Sequence, residues 1–250
     1  MRAFILAAGE GSRLRPLTDG MPKPMLAVRG RPLLEYNVRL LVHYGITDIT
    51  INTHYRAEKI TAHFGDGSAF GAAIRYTFEP TLLGTAGALN NARDLFAEPF
   101  LLVFGDNLST CDLRALAASV RPGDAGAIAL FHREDVVQSG VAVLDPDDRI
   151  VEFVEKPIPP NVPSHWVNAG LVVVTPRLAA MIPASGPSDF GRDIFPRVLA
   201  ENVPLRGYRM HERLWWIDTL ADHARTTADP HLDTLLTLLG HSSENGTIHA

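Results

Sequence analysis

Three cationic side chains closely follow the first apolar run of the chain. The run Ala3–Ala8 ends in a glycine-bearing loop that carries Arg13 and Arg15, and Lys23 then stands between two prolines. Glycines at positions 9 and 11 permit backbone angles and close approaches that a side chain would prevent. A loop of this kind can direct several backbone N–H groups toward one anion. These residue types therefore favour the binding of a phosphate group.

Two well-known phosphate loops do not fit this segment. The dinucleotide fingerprint G-x-G-x-x-G requires a third glycine where this chain has Leu14, and the P-loop string G-x-x-x-x-G-K-[ST] occurs nowhere in the sequence. A tight turn with solvated arginines would also explain a bare G-x-G. The paired arginines, and a lysine whose backbone is restricted by Pro22 and Pro24, favour a binding role instead, although Arg15 by itself remains open.

One carboxylate stands where a sheet would present it to a ligand. Asp106 comes directly after the apolar run Phe100–Phe104 and Gly105, so its side chain should emerge at the end of a strand. A Mg²⁺ ligand that bridges to phosphates is one interpretation. The other is an aspartate that caps the next turn or helix, and the residues alone leave both open.

Alternating strand and helix patterns position these residues in the first half of the chain. They predict βαβ units and a single-domain, Rossmann-like α/β fold with a mostly parallel sheet and helices on both faces. Right-handed crossovers bring the loops after the strands to one edge, where open α/β sheets bind ligands. The predicted strands are 3–8, 48–53, 73–78, 100–104 and 125–132, and the predicted helices are 33–44, 57–64, 84–96 and 113–120.

The pattern changes in the second half. The apolar segments 140–144, 150–154 and 167–174 follow one another with short polar or proline-rich links, which is typical of antiparallel strands. Strands are also predicted at 205–208 and 214–217, and helices at 190–200, 220–227 and 230–239. No repeat or linker divides the chain, so we expect one domain over residues 1–240 and a polar tail over 241–250.

Composition and charge argue against several classes of function. A net charge of −5 disfavours a nucleic-acid-binding surface, and no apolar run approaches the roughly 20 residues that span a bilayer. Cys111 is the single cysteine, so we expect no intrachain disulfide and a cytoplasmic location. Because a strand is predicted to begin at once, we expect no signal peptide. The ten histidines lack the spacing of a zinc site.

The N-terminal loop resembles the signature of the sugar-1-phosphate nucleotidyltransferases, or NDP-sugar pyrophosphorylases. The segment from Leu6 to Thr18 and the tripeptide Pro22-Lys23-Pro24 carry this likeness. Matching motifs follow in chain order at Leu83-Gly84-Thr85-Ala86-Gly87, Gly105-Asp106, Glu155-Lys156-Pro157, Asn168-Ala169-Gly170 and Trp216-Ile217-Asp218. The resemblance covers about residues 1–225, without the left-handed β-helix extension of longer members.

The resemblance implies a reaction between two anions, an NTP and a sugar 1-phosphate, with Mg²⁺ as cofactor. An oxygen of the sugar phosphate attacks the α-phosphorus and pyrophosphate leaves. The nucleophile is already ionised at neutral pH, so the site has to supply charge neutralisation and alignment and no general base. The expected partners are these two substrates, with a homo-oligomer left open.

By the same resemblance, residues 1–135 would form an NTP-binding half and residues 136–228 a sugar-phosphate-binding half. Arg13, Lys23 and Asp106 would be the catalytic residues, and Asp106 with Asp218 would bind Mg²⁺. Asp218 or Thr219 could instead cap the following helix. The nucleotide would contact Leu6, Ala7, Ala8, Gly9, Gly11, Ser12, Arg13, Lys23, Gly84, Thr85 and Gly105, and the sugar phosphate Gly140, Glu155, Lys156, Asn168 and Asp218.

Two parts of the sequence point to different nucleobases. The form Leu14-Arg15-Pro16-Leu17-Thr18 resembles guanylyl- and uridylyltransferases, so a guanylyltransferase for a mannose- or heptose-type 1-phosphate is our first expectation. Cytidylyltransferases resemble the segment from Asp218 to Asp222, and thymidylyl transfer is a further alternative. An alternative of another class is a catalytically silent sugar-nucleotide-binding regulatory subunit. Such members usually lose the arginine, the lysine or an aspartate, and this chain keeps all four.

Overall fold

The strands predicted from apolar runs form the centre of the molecule, in a computed structural model that describes residues 1–240. The predicted polar tail, 241–250, lies outside the described residues. In chain order the strands are β1 (Arg2–Leu6), β2 (Ala27–Val28), β3 (Arg31–Pro32), β4 (Asp48–Thr53), β5 (Ala73–Phe78), β6 (Phe100–Phe104), β7 (Asn107–Ser109), β8 (Gly126–His132), β9 (Gly140–Leu144), β10 (Ile150–Glu155), β11 (Trp166–Val174), β12 (Leu205–Arg209) and β13 (Leu214–Trp216).

Nine of the described strands form one sheet, and its two halves differ in direction. β5, β4, β1 and β6 lie side by side and run parallel. β11 is antiparallel to both β6 and β8, and β9 pairs antiparallel with β10, whereas β12 is parallel to β8. The predicted α/β fold, parallel in its first half and antiparallel in its second, is confirmed.

Helices cover both faces of the sheet. On β1, Ala3 and Ile5 belong to one hydrophobic cluster and Phe4 to another, because successive side chains of a strand point to opposite faces. Leu41 of the first helix packs in one cluster and Phe195 of a later helix in the other. The α-helices are α1 (Leu33–His43), α2 (Ala57–Phe64), α3 (Gly84–Gly87), α4 (Leu113–Ala118), α5 (Pro176–Ala179), α6 (Phe195–Ala200), α7 (Leu220–Ala228) and α8 (Leu232–Gly240). Among residues 1–240, no helix combines the length and apolar character needed to cross a membrane.

Two predicted helices differ from the observed ones. The segment predicted as 84–96 consists of the single turn α3 and a 3₁₀ segment, Ala88–Ala97, which is kinked at Ala92. Glycine and asparagine are weak helix formers, and the Asn90 side chain donates instead to the carbonyl of Pro183. The segment predicted as 190–200 begins with a π-helical turn, Phe190–Ile194, before α6.

β11 changes its partner part-way along, which opens the sheet on one side. Trp166 and Val167 pair with β9, whereas Leu171–Val174 pair with β6. Gly170 lies at this change with φ 78°, and a Cβ there would be 2.9 Å from the Cβ of Phe104. Only glycine combines this backbone angle with so close an approach. The opening lies between the end of β6 and the start of β9, beside which β10 ends.

Candidate active site

The loop after β1 folds tightly around Lys23. Gly11 has φ 67°, and a Cβ on it would lie 2.7 Å from the Cβ of Lys23. The hydroxyl of Thr18 donates to the carbonyl of Gly11, which closes the loop. Gly9 differs from the prediction, because its φ is not in the left-handed region and the space around it is open. Gly11 therefore determines the shape of the loop, whereas Gly9 leaves room beside the cleft described below.

The ammonium group of Lys23 lies between two carboxylates. Its Nζ donates to Oδ2 of Asp106 at 2.7 Å and to Oδ1 of Asp218 at 3.1 Å. Only 8% of the Lys23 side chain is exposed, whereas the two carboxylates are about one-third exposed. The three residues are far apart in the sequence, and the fold brings together the three positions that the motifs predicted.

A short antiparallel ribbon delivers the two aspartates to the same place. β7 pairs with β13, with Asn107 opposite Trp216. Asp106 precedes the first residue of β7, and Asp218 follows two residues after β13 ends. Since the strands are antiparallel, the start of one lies beside the end of the other. The convergence of the two carboxylates is therefore a direct result of this pairing.

Asp218 does not cap the helix that follows it. Thr219 is the N-cap of α7: its hydroxyl accepts from the backbone N–H of Asp222, and the Asp222 carboxylate accepts from the backbone N–H of Thr219. This reciprocal pair is a capping box. The carboxylate of Asp218 is thereby free to accept from Lys23 and from Arg13, whose Nη2 lies 3.2 Å away.

Charge is closely balanced in this cluster. Burial lowers the pKa of Lys23, but the ion pairs with Asp106 and Asp218 outweigh burial, and the net pKa is raised. Arg13 is more than half exposed and can move toward a ligand while it remains near Asp218. Arg15 is also exposed and lies 3.6 Å from Asp19. The cluster thus presents Arg13 and Lys23 as cations next to two anionic oxygens.

A cleft of about 230 Å³ begins at this cluster and extends along the ends of β1, β4 and β5. It lies at the carboxyl ends of parallel strands, where open α/β sheets bind ligands. Of the predicted residues, it is lined by Leu6, Ala8, Gly9, Lys23, Gly84, Thr85 and Asp106. Ala7, Gly11, Ser12, Arg13 and Gly105 lie in the same loops but do not line it. The N–H of Ala7 instead donates to Asn52, and the N–H of Gly105 to Leu6.

Sequence reasoning missed three polar residues of this cleft, Asn52, Glu79 and Asp189. Glu79 is almost fully buried, and its carboxylate accepts from the Asn52 side chain at 2.5 Å and from the backbone N–H of Leu83 at 2.8 Å. Asn52 lies at the end of β4 and Glu79 directly after β5, at the edge where ligands were expected. Their positions at the ends of predicted strands are the feature of the sequence that could have identified them.

Asp189 fixes the loop on the other side of the cleft. Its Oδ1 accepts from both the backbone N–H and the hydroxyl of Thr85, each at 3.1 Å. Gly84 is packed against the same segment, since a Cβ on it would lie 2.6 Å from the carbonyl oxygen of Ser188. The predicted pair Gly84 and Thr85 is therefore held in place by residues from the second half of the chain.

Four of the five residues predicted to bind the sugar phosphate, Gly140, Glu155, Lys156 and Asn168, lie around the opening beside β11, whereas Asp218 lies in the Lys23 cluster. A Cβ on Gly140 would lie 2.6 Å from the Phe153 ring and 2.7 Å from the Glu155 carboxylate, so glycine lets both side chains pack there. Burial raises the pKa of Glu155, and the nearby charges of Lys156 and Arg192 only partly oppose this. Lys156 is exposed, and the Asn168 side chain accepts from the N–H of Gly170. None of these predicted residues lines the cleft along β1, β4 and β5.

The two aspartates could hold a divalent cation. Within residues 1–240 no three His, Cys, Asp or Glu side chains form a metal cluster. Two carboxylates are nevertheless sufficient for a hard cation that keeps waters and takes its other ligands from phosphates. The ammonium of Lys23 already lies between both oxygens, so this structure has a position for positive charge between Asp106 and Asp218.

Comparison with known proteins agrees with this geometry. The sequence model of the nucleotidyl transferase family matches residues 2–220. The chain belongs to the nucleotidyl transferase family. It is similar to a UTP–glucose-1-phosphate uridylyltransferase of Synechocystis sp. (33% identity, 87% of this chain and 60% of the relative). It is also similar to a mannose-1-phosphate guanylyltransferase of Mycobacterium tuberculosis (35% identity, 91% of this chain and 64% of the relative).

This nucleotidyl transferase chain also resembles a solved structure in its fold. A Bacillus anthracis protein assigned as a glucose-1-phosphate thymidylyltransferase, crystallised with sucrose, superposes with a TM-score of 0.82. The two sequences are 27% identical, and the match covers 91% of this chain and 94% of the other. The chain spans only 60–64% of the length of the two sequence relatives described above.

Proposed function

We propose that this protein transfers a nucleoside monophosphate from an NTP to a sugar 1-phosphate, giving an NDP-sugar and pyrophosphate. The observation that carries the proposal is the cluster of Arg13, Lys23, Asp106 and Asp218 at one end of the cleft along β1, β4 and β5. The named relatives act on glucose 1-phosphate and mannose 1-phosphate, and they use different nucleotides.

The cations of the cluster would lower the repulsion between the two substrates. At about 4 Å, two like unit charges repel by about 4 kcal/mol at an effective dielectric near 20, so several such pairs would prevent the encounter. Lys23, held at the inner end of the cleft, would donate to the α-phosphate. Arg13, exposed beside Asp218, would hold the β- and γ-phosphates and the charge that develops on pyrophosphate.

Asp106 and Asp218 would hold Mg²⁺, which supplies positive charge to phosphate oxygens when it is bound. Lys23 occupies the space between both carboxylates here, so binding of the cation would require the ammonium to move toward the substrate phosphates. The lysine and the metal would then neutralise different oxygens. Glu155, Lys156, Asn168 and Gly140 would contact the sugar phosphate from the opening beside β11.

Glu79 supports a base that carries an N–H donor. Glu79 lines the cleft, and its carboxylate uses two of its roughly four acceptor positions for Asn52 and Leu83. Guanine offers adjacent N1–H and N2–H donors, and uracil and thymine offer one N3–H. Cytosine and adenine present an acceptor at the corresponding ring nitrogen. We propose guanylyl transfer first, because guanine can use both carboxylate oxygens.

The direct test is a grid of five NTPs against a panel of sugar 1-phosphates, scored by pyrophosphate release with and without Mg²⁺. We expect turnover with GTP and at least one hexose or heptose 1-phosphate, and loss of the preference for GTP in Glu79→Gln. Glu58→Gln, an exposed change on α2, is the control. Tight NTP binding without pyrophosphate release from any pair would support the silent regulatory subunit instead.

A further inference from the structure

Arg133 has an unusual environment for an arginine. Its guanidinium lies over the ring of Trp216, with Cζ 3.9 Å from the ring centroid, and only 16% of its side chain is exposed. Among residues 1–240, its ion-pair partner is the exposed carboxylate of Asp135, at 3.9 Å. No hydrogen bond joins the guanidinium to another residue of that range. Its five N–H donors are therefore held in a fixed plane without an acceptor from the described residues.

The place of Arg133 is next to the proposed metal site. Trp216, on which it stacks, precedes Asp218 by two residues and pairs with Asn107, the neighbour of Asp106. Burial lowers the pKa of Arg133, and the charges of Asp135, Asp218 and Asp222 raise it in part. Asp218 is thus one of the charged groups that act on the guanidinium, which agrees with the position of Trp216 two residues before it.

Arg133 lies on the side of the site away from the nucleotide cleft. It follows the last residue of β8, and β11 and β6 separate β8 from β1. At about 4.8 Å between strands, this separation is about 14 Å. His132 of β8 pairs with Trp166 of β11, two residues before Asn168. The arginine is therefore associated with the half of the site proposed for the sugar phosphate.

We propose that Arg133 is a further substrate-binding residue, whose guanidinium donates hydrogen bonds to the phosphate oxygens of the sugar 1-phosphate. Trp216 holds the guanidinium plane so that its paired donors match two phosphate oxygens. This deepens the proposed function and rests on it for the identity of the substrate. It also gives a role to Trp216, whose neighbour Trp215 is a core residue.

A second arginine provides a matched control. Arg225 also lies over Trp216, with Cζ 5.9 Å from the ring centroid. In contrast to Arg133, it is 61% exposed and donates to the Asp222 carboxylate at 2.5 Å. A change at Arg225 alters the cation–π contact with the same ring and leaves the proposed phosphate ligand unchanged.

The experiment compares Arg133→Met, Arg133→Lys and Arg225→Met. Inorganic phosphate, the anion common to all sugar 1-phosphates, is titrated by calorimetry into each protein saturated with Mg²⁺ and a non-hydrolysable GTP analogue. KM for the best sugar 1-phosphate, KM for the NTP, kcat and Tm are then measured. For Arg133→Met we expect phosphate affinity to fall, and KM for the sugar phosphate to rise, by roughly tenfold to a hundredfold. KM for the NTP should stay unchanged, with Arg133→Lys intermediate and Arg225→Met like the wild type.

The outcomes separate this inference from the proposed function. If phosphate binding depends on Arg133 but no sugar 1-phosphate is turned over, the phosphate site is supported and the proposed function is wrong. Turnover with an unchanged KM for the sugar phosphate in Arg133→Met, whether or not Tm falls, would show that Arg133 only packs on Trp216. Equal losses of NTP and phosphate affinity would assign Arg133 to the triphosphate, and they too would overturn the inference.

Discussion

Replacing Lys23 by methionine tests whether Asp106 and Asp218 form a cation site. Methionine keeps much of the side-chain volume and removes the charge. The distances from Nζ, 2.7 and 3.1 Å, place the two carboxylate oxygens within about 6 Å of each other. At an effective dielectric near 20 they would repel by about 3 kcal/mol. Since both side chains are about one-third exposed, screening reduces this to about 1–2 kcal/mol, or a fall in Tm of about 2–8 °C.

Added Mg²⁺ should then stabilise Lys23→Met more than the wild type, because the competing ammonium is gone. A ligand at ten times its Kd stabilises the folded state by about 1.4 kcal/mol. The assay is thermal unfolding with increasing MgCl₂, independent of turnover. The double variant Lys23→Met/Asp218→Asn should lose this response, and Lys59→Met, an exposed change on α2, should behave as the wild type. Equal Mg²⁺ responses in the wild type, the single variant and the double variant would refute the two-aspartate site.

The pH dependence of the same pair of proteins gives a second readout. The pKa of Lys23 is raised in the folded state, so the stability that its ion pairs contribute is present below the unfolded value of about 10.5 and is lost as pH rises through the folded pKa. The stability difference between the wild type and Lys23→Met should therefore be constant from pH 7 to 9 and shrink at higher pH. A difference that persists unchanged at a pH where the ammonium is deprotonated would contradict this account.

Three further outcomes are expected. Arg13→Ala should lower kcat by roughly 10²–10³-fold, the usual loss when one partner of transition-state charge is removed, and near-normal turnover at saturating substrates would exclude a catalytic role. Gly11→Ala should lower Tm, because a Cβ there would meet Lys23. Gly9→Ala should leave Tm unchanged and weaken NTP binding, because its methyl group would fill open space in the cleft. Thermal unfolding and calorimetry of NTP binding distinguish the two variants. Burial raises the pKa of Glu155, so ionising it costs stability as pH rises above about 4.5. Glu155→Gln should thus gain Tm relative to the wild type at pH 7 and not at pH 4, and an equal Tm difference at both pH values would argue against this.

Local patterns were sufficient for most of the sheet. β4, β5 and β6 coincide with the predicted segments because unbroken apolar or β-branched runs bounded by turn residues have few alternatives. The segment from Gly84 onward was wrong as one helix. Its glycines and asparagines make tertiary contacts that outweigh a weak helical pattern, as Asn90 shows with its bond to Pro183.

Site residues within contiguous motifs could be predicted from the sequence. Residues whose role depends on the order of the strands in the sheet were missed. Lys23, Asp106 and Asp218 could be named from the resemblance alone. Glu79 and Arg133 are single polar residues after strands, and only the sheet order shows which of them face the same ligand edge. The sequence likewise left open which of Thr219 and Asp218 caps the helix and which one forms ion pairs, because threonine and aspartate are both common N-cap residues.

The salt bridges of Lys23 have a consequence for how the protein is made. Lys23 and Asp218 are 195 residues apart in the sequence. At about 5–20 residues per second, a ribosome needs about 10–40 s to synthesise the chain between them. Asp106 follows Lys23 by 83 residues, so the nascent loop after β1 at first lacks both counter-charges and then only that of Asp218, and a fragment that ends before Asp218 would pair Lys23 with Asp106 alone. The charge balance of the loop is therefore completed late in translation, after the parallel half of the sheet has been synthesised.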